Sequence, residues 1–440
     1  PDWALEGTTI GLKDGVVGFE RLEHMLNSGV TINAIWCEDW VGLRETSFGS
    51  RLFWDWHVNA ERYPDLKSHI AKLEQRGIRF LGYVNPYLCI DGKQFDEAKA
   101  GDHLVRHANG GDIYTEDFGE FDCGMIDLTR QQTRDWFAKR IIGEEMIDLG
   151  MAGWMADFGE YLPTDTTLHD GSDPMKAHNR WPVLWAQVNE QAAEHCGVQD
   201  EAVFFMRSGG AGLSRHCSLL WAGDQCVDFS RHDGIGTAIT AALSVGLVGN
   251  GHSHSDIGGY TSLHGLIRTR ELIMRWAEMA VFTPFMRTHE GNRPKDNLQV
   301  DSDPELLDHF AAMTRLHAAL APYSKSVNRE VASLGLPMQR AMFLHYADDP
   351  QTHSIQDQYL YGRDLLVAPV ITQGATTRSV FIPAGDSWND FWTGEPVAHG
   401  WLECAAPIGF PPAFVRAGST FLSTFAAARA AHMEWGNSDD

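Results

Sequence analysis

Through roughly the first 290 residues, short β-rich apolar runs keep returning between amphipathic helical stretches. The runs are "TTIGL" (8–12), "INAIW" (32–36), "RFLGYVN" (79–85), "GWMAD" (153–157), "AVFFMR" (202–207), "SLLWAGD" (218–224), "LSVGLVG" (243–249) and "VFTPFMR" (281–287). In the intervening "YPDLKSHIAKLEQRG", Leu66, Ile70 and Leu73 fall on one helical face and Gly77 supplies the stop. A second helical pattern, "RQQTRDWFAKRIIGEEMIDLG", ends at Gly150. Strands alternating with helices imply βαβ units and a parallel sheet. Eight of them predict an α/β chain with a (β/α)8 TIM barrel over residues 1–325. "GMIDL" (124–128) is a further strand candidate. Beyond 325 come short runs broken by Gly and Pro, among them "FLHYA", "QYLYG", "DLLVAPVI", "RSVFIP", "WNDFWTG" and "PPAFVRAG". They predict a small all-β, sandwich-like domain over 326–425, leaving 426–440 as a tail.

The formal net charge of −24 includes no Lys/Arg cluster, which argues against a nucleic-acid partner. An anionic substrate would need a local basic pocket. Seven cysteines (37, 89, 123, 196, 217, 226, 404) show no CxxC and no regular spacing, the pattern of reduced thiols in a cytoplasmic protein. No run reaches membrane-spanning length, so no membrane insertion is expected. A homo-oligomer is left open.

In a barrel, function sits at the C-terminal ends of the strands. Asp157 ends one run inside "GWMADFGEYLP", Asp224 ends another inside "WAGDQ", and Arg287 and His289 follow the last inside "FMRTHEG". A carboxylate among aromatic side chains is costly unless it is paired or used. Two carboxylates in one cleft are the equipment of glycoside hydrolysis, one ionised and one protonated. "GHSHSD" (251–256) alternates His252, His254 and Asp256 like a ligand set, but no further Cys/His cluster accompanies it, so no metal is expected. "GLVGNG" lacks the ending of a phosphate loop. Cys226 reads as a small buried hydrophobe.

"GWMADFGEYLPTD", "MRSGGAG…WAGDQ", "HSDIGGY", "FTPFMRTHEGNRP", "YLYGRDLLVAPV" and "WNDFWTGE" together resemble glycoside hydrolase family 31, and within it the sulfoquinovosidases. The resemblance runs from residue 1 to about 420. It implies a retaining enzyme without cofactor that releases sulfoquinovose from sulfonated glycosides such as its glycerol and diacylglycerol conjugates. It also implies a β-sandwich domain ahead of the barrel, which this sequence is expected to lack. Asp157 would be the nucleophile and Asp224 the acid/base; retention calls for carboxyl groups about 5–5.5 Å apart. Arg51 and Trp54, one helical turn along, would bind the sulfonate with help from Tyr260: a guanidinium forks onto two oxygens and an indole N–H meets the third. Lys13 and Glu38 match the Lys–Glu subtype near the sugar hydroxyls. His289, Arg207 and Asp256 would line the same subsite. Two other readings compete: a family 31 α-glucosidase or α-xylosidase acting on neutral sugars, and a non-catalytic sugar-binding barrel, against which the presence of both carboxylates argues.

Overall fold

The computed structural model describes residues 1–47, 49–108 and 111–433. Among the described residues nine short strands form one sheet: β1 (Thr8–Gly11), β2 (Ile32–Trp36), β3 (Arg79–Val84), β4 (Gly153–Ala156), β5 (Val203–Met206), β6 (Leu219–Trp221), β7 (His252–His254), β8 (Asp256–Ile257) and β9 (Met286–Thr288). Their order is β7-β6-β5-β4-β3-β2-β1-β9-β8, the arrangement of a nearly closed α/β barrel.

The residues divide into two compact units. One comprises Leu12–Phe19 and Ala34–Leu220. Within it β2 to β6 run parallel, with Met155 opposite Tyr83 and Trp154 opposite Phe204. Helices Leu66–Gln75 and Pro174–His195 cover these strands, as does Gln131–Trp136, which continues as a π-helix over Phe137–Ile147. An antiparallel excursion of Tyr87–Cys89, Thr115–Asp117 and Asp122–Met125 absorbs the extra strand candidate. Several tryptophans are structural donors: Trp36, Trp40 and Trp56 give their indole N–H groups to the carbonyls of Gly82, Tyr83 and Tyr87.

The other unit comprises Asp2–Gly11, Glu20–Asn33 and the chain from Trp221 onward. There β1, β9 and β8 run parallel, with Thr9 and Asp256 both opposite Arg287. A six-stranded sheet with antiparallel neighbours follows, built from Gln339–Arg340, Tyr359–Tyr361, Leu365–Val367, Ala413–Arg416, Trp388–Asp390 and Pro396–Val397 in that order. A separate ribbon pairs Thr377–Ile382 with Gly400–Ala405. Leu360, Leu366, Val380, Ile382, Trp388 and Phe414 form their common core. A buried ion pair joins this sheet region to helix Arg270–Ala280: Arg275 meets Glu278 at 2.9 Å and donates to the carbonyls of Ala375 and Ala406, while Glu278 accepts from the Gly409 amide.

Three expected strands need correction. "LSVGLVG" is not a strand: it ends helix Ile235–Leu247, whose buried Ile235, Ala238, Ile239, Ala242, Leu243 and Gly246 recur at helical spacing once the register starts at Ile235. The strand is instead His252–His254. "VFTPFMR" is a strand only from Met286, because Val281–Phe285 turns the chain off helix Arg270–Ala280. The boundary at 325/326 falls inside helix Ala321–Leu334, and residues 426–433 of the expected tail continue helix Leu422–Met433, which buries Phe425, Ala428 and His432. "FLHYA" lies largely in a 3-10 turn, Met342–Leu344, and the ensuing turn.

Close strand packing makes Gly153 a sensitive point. A Cβ there would lie 2.2 Å from the Val203 carbonyl oxygen, so the two strands must separate to admit it. Gly153→Ala should cost about 1–3 kcal/mol, read as a lower midpoint in urea unfolding; an unchanged midpoint would contradict the packing described.

Candidate active site

Asp157 is the residue that follows β4, and it is only 8% exposed. Three donors hold it: the Tyr83 hydroxyl donates to Oδ2 at 2.6 Å, the Phe158 amide donates to Oδ1 at 2.8 Å, and Arg207 Nε approaches Oδ1 at 3.3 Å. Burial, reinforced by the Asp157 charge, pushes the Tyr83 phenol far above its ordinary range, so it remains a donor. The chain leaves the carboxylate through two left-handed residues, Phe158 (φ 57°) and Gly159 (φ 95°). That conformation is uncommon for phenylalanine and is held in place here, since Ser208 donates to the Phe158 carbonyl and the Arg207 guanidinium lies 4.6 Å over the Phe158 ring.

Arg207 also grips Glu160, with Nε and Nη2 at 2.9 and 2.8 Å from Oε1. Glu160 Oε2 has no partner among the described residues. Burial pushes the Glu160 carboxyl up, Arg207 pulls it down and the Asp157 charge pushes it up again, with a net rise.

Arg51 and Trp54 prove not to lie on a helix. Arg51 is an exposed residue of the hairpin Leu43–Thr46/Gly49–Leu52, directly opposite Arg44, and Trp54 follows in the adjoining loop. Trp54 is 7% exposed, wedged among Tyr87, Phe118, Phe121 and Phe158 at ring separations of 4.7–5.7 Å. Its indole N–H has no hydrogen-bond partner among the described residues. Phe158 therefore joins the wall around Trp54 to the turn that carries Asp157. In the same unit Lys13 Nζ and Glu38 Oε1 pair at 2.8 Å, both half-buried.

In the other unit, Asp224 is exposed three residues past β6, beyond Gly223 at φ 87°. Its loop is tied to the next candidate: the Thr261 hydroxyl donates to the Asp224 carbonyl, and the amides of Tyr260 and Thr261 donate to the Gln225 carbonyl. Tyr260 packs edge-on to His289 with ring centres 4.7 Å apart. His289 Nδ1 accepts from the Gly291 amide, which leaves the ring proton of a neutral imidazole on Nε2. Asp256 is fully buried in an ion pair with Arg287, which also donates to His254 Nε2. Among the described residues no group of three or more His, Cys, Asp or Glu is placed to hold a metal ion.

Three contributors escaped the sequence reading. Tyr83, Glu160 and Arg268 are ordinary members of their runs until the fold aims them. Arg268 is buried, reaches the carbonyls of Gly258, Gly259 and His289, and has its guanidinium pushed down to about 10 by burial. For Tyr83 a signal did exist: a phenol in the interior of an apolar parallel strand needs a partner.

The family 31 TIM-barrel model of the glycosyl hydrolases matches residues 19–327, and the family's C-terminal domain matches 335–421. The chain belongs to glycosyl hydrolase family 31. This family 31 chain is 55% identical over 426 residues to a sulfoquinovosidase of Agrobacterium fabrum, with 97% of it and 64% of that protein covered. It is 47% identical over 428 residues to a sulfoquinovosidase of Escherichia coli K12, with 97% and 63% covered. In three dimensions it matches a family 31 sulfoquinovosidase from E. rectale, solved with an aza-sugar inhibitor, at TM-score 0.95 and 48% identity, covering 98% of this chain and 64% of that one. The chain thus spans somewhat less than two thirds of these relatives' lengths.

The Glu160 shift has a defined sign. A carboxyl raised in the folded state contributes stability below its unfolded pKa, about 4.3, and loses it as pH rises through the folded value. Glu160→Gln should therefore flatten the fall of Tm as pH rises above about 4.3. Parallel curves for the two proteins would remove Glu160 from the account.

Proposed function

We propose that this chain is the catalytic portion of a retaining α-sulfoquinovosidase, releasing sulfoquinovose from sulfoquinovosyl glycerol or its diacylglycerol conjugate. The observation that carries the reading is Trp54: its indole N–H is buried in an aromatic cage without a partner, three residues from the exposed guanidinium of Arg51. A buried unsatisfied donor costs about 1–3 kcal/mol, and a sulfonate oxygen is the acceptor that would recover it. Likeness to two sulfoquinovosidases at 55% and 47% identity supports the same substrate class.

In this reading Asp157 attacks the anomeric carbon while Asp224 protonates the departing glycosidic oxygen. Asp224 then removes a proton from water, which attacks the same carbon and frees Asp157 with net retention. Tyr83 and Arg207 steer the Asp157 oxygens. Arg51 and Trp54 take the sulfonate, with Tyr260 assisting. The Lys13–Glu38 pair, Arg207, His289 and Asp256 serve the hydroxyl-bearing face of the sugar. The domain limits are proposed as a barrel followed by a β-rich C-terminal domain.

Two experiments test this. Asp157→Asn should lower kcat on 4-nitrophenyl α-sulfoquinovoside by at least about 10³-fold while still binding the sugar, since only the nucleophile is lost; residual turnover near wild type would exclude Asp157. Arg51→Lys and Trp54→Phe should each lower kcat/KM on the sulfonated glycoside by about 10–100-fold, matching the loss of one charge-assisted hydrogen bond. Neither should alter residual activity on 4-nitrophenyl α-glucoside. Equal losses on both glycosides, or faster turnover of the neutral sugar by the wild type, would favour an α-glucosidase or α-xylosidase instead.

A further inference from the structure

Cys89 and Cys123 stand directly opposite each other on the antiparallel strands Tyr87–Cys89 and Asp122–Met125. The Ile90 amide donates to the Asp122 carbonyl, so the neighbouring pair is the hydrogen-bonded one and Cys89/Cys123 is a non-hydrogen-bonded pair. At such positions the Cα atoms approach to about 4.5 Å, inside the roughly 4.4–6.8 Å span of a disulfide. The two sulfurs are 3.5 Å apart, with the Cys123 thiol donating to Cys89 Sγ. A bond between them needs side-chain rotation and little backbone movement.

We propose that Cys89 and Cys123 form a reversible oxidation site, closed to a disulfide by a hydroperoxide, whose state reaches the aromatic wall around Trp54. The hydrogen bond from Cys123 holds the Cys89 thiol below its usual range, and the nearby Arg44 charge acts in the same direction against burial. Burial pushes the Cys123 thiol up. Cys89 is therefore the attacking thiol and Cys123 the resolving one. The Cys89 thiolate attacks one peroxide oxygen, the O–O bond breaks, and hydroxide leaves and is protonated to water. Cys123 then displaces hydroxide from the resulting sulfenic acid. In sum, two thiols and one hydrogen peroxide give one disulfide and two waters. Both side chains are fully buried, which suits a small neutral oxidant over a bulky one.

Two contacts couple this site to its surroundings. The Cys89 amide donates to the Trp54 carbonyl at 2.9 Å. Arg44 lies 4.8 Å over both Phe53 and Phe121, Phe121 packs on Trp54, and Arg44 is the cross-strand partner of Arg51. Oxidation ties up the Cys89 sulfur on which the Arg44 charge acts. The effect on substrate rests on the proposed function; the bond itself does not.

The test treats the reduced chain with hydrogen peroxide, alkylates the remaining thiols, and maps peptides without reductant. The expected result is a Cys89–Cys123 linked peptide, lighter by two hydrogens, that disappears with dithiothreitol. KM for sulfoquinovosyl glycerol should rise severalfold and return on reduction, and Cys123→Ala should neither link nor show that reversible shift. Recovery of the two cysteines separately alkylated, or linked to other cysteines, would overturn the site. A linked protein with unchanged KM would overturn the coupling to Trp54. Should the chain turn over no sulfoquinoside at all, it is the proposed function that fails, while the peptide map still decides the oxidation site.

Discussion

The geometry around β4 depends on holding one carboxyl group in a place where water cannot reach it freely. Asp157 is held there by a phenol, a backbone amide and a guanidinium, each at hydrogen-bonding distance or close to it. Donors to a charged acceptor contribute about 1.5–3 kcal/mol each, which offsets much of the desolvation that burial imposes. Each donor in turn fixes another element. Tyr83 ties the carboxylate to β3, Phe158 commits the chain to a left-handed turn, and Arg207 at the end of β5 reaches Asp157 and Glu160 together. A carboxylate steered from three sides can present one oxygen to an electrophile reproducibly, as the nucleophile role proposed for Asp157 requires.

Charge follows the same logic on a larger scale. A chain carrying −24 formally disfavours anions at long range, so any anionic substrate has to be recognised by local cations. Arg44 and Arg51, opposed across one hairpin, place two guanidiniums on neighbouring strands. Arg44 also pairs with Asp91, as Arg287 does with Asp256 and Arg275 with Glu278. Buried pairs of this kind resist substitution of a single partner, because the remaining charge is left unpaired in a dry setting.

Much of the architecture was legible from residue order alone. Strands such as "INAIW" and "RFLGYV" announce themselves through apolar, β-branched runs ended by turn residues, and Leu66, Ile70 and Leu73 mark a helix without ambiguity. "LSVGLVG" misled because a seven-residue window of valine, leucine and glycine suits a buried strand or a helix end equally, and only the longer window from Ile235 reveals the 3.6-residue period. The helical turn supposed between Arg51 and Trp54 failed for a related reason: a hairpin spacing of three residues mimics a turn of helix when the partner strand, Leu43–Thr46, goes unnoticed. Asp157 was readable as a carboxylate in apolar company. Tyr83 was readable only as a phenol in need of a partner, 74 positions from the Asp157 it meets, while Glu160 and Arg268 carried no signal, since their importance arises from contacts that only the fold creates.

The ion pair of Arg275 and Glu278 makes the C-terminal sheet region a structural partner of helix Arg270–Ala280 and not an appendage to it. Both side chains are buried, Arg275 donates to the carbonyls of Ala375 and Ala406, and Glu278 accepts from the Gly409 amide. Deleting the last hundred or so residues would strand a guanidinium and a carboxylate against an apolar helix face. The helix and the sheet region are therefore expected to unfold together, since parting them would take these backbone partners from a buried pair.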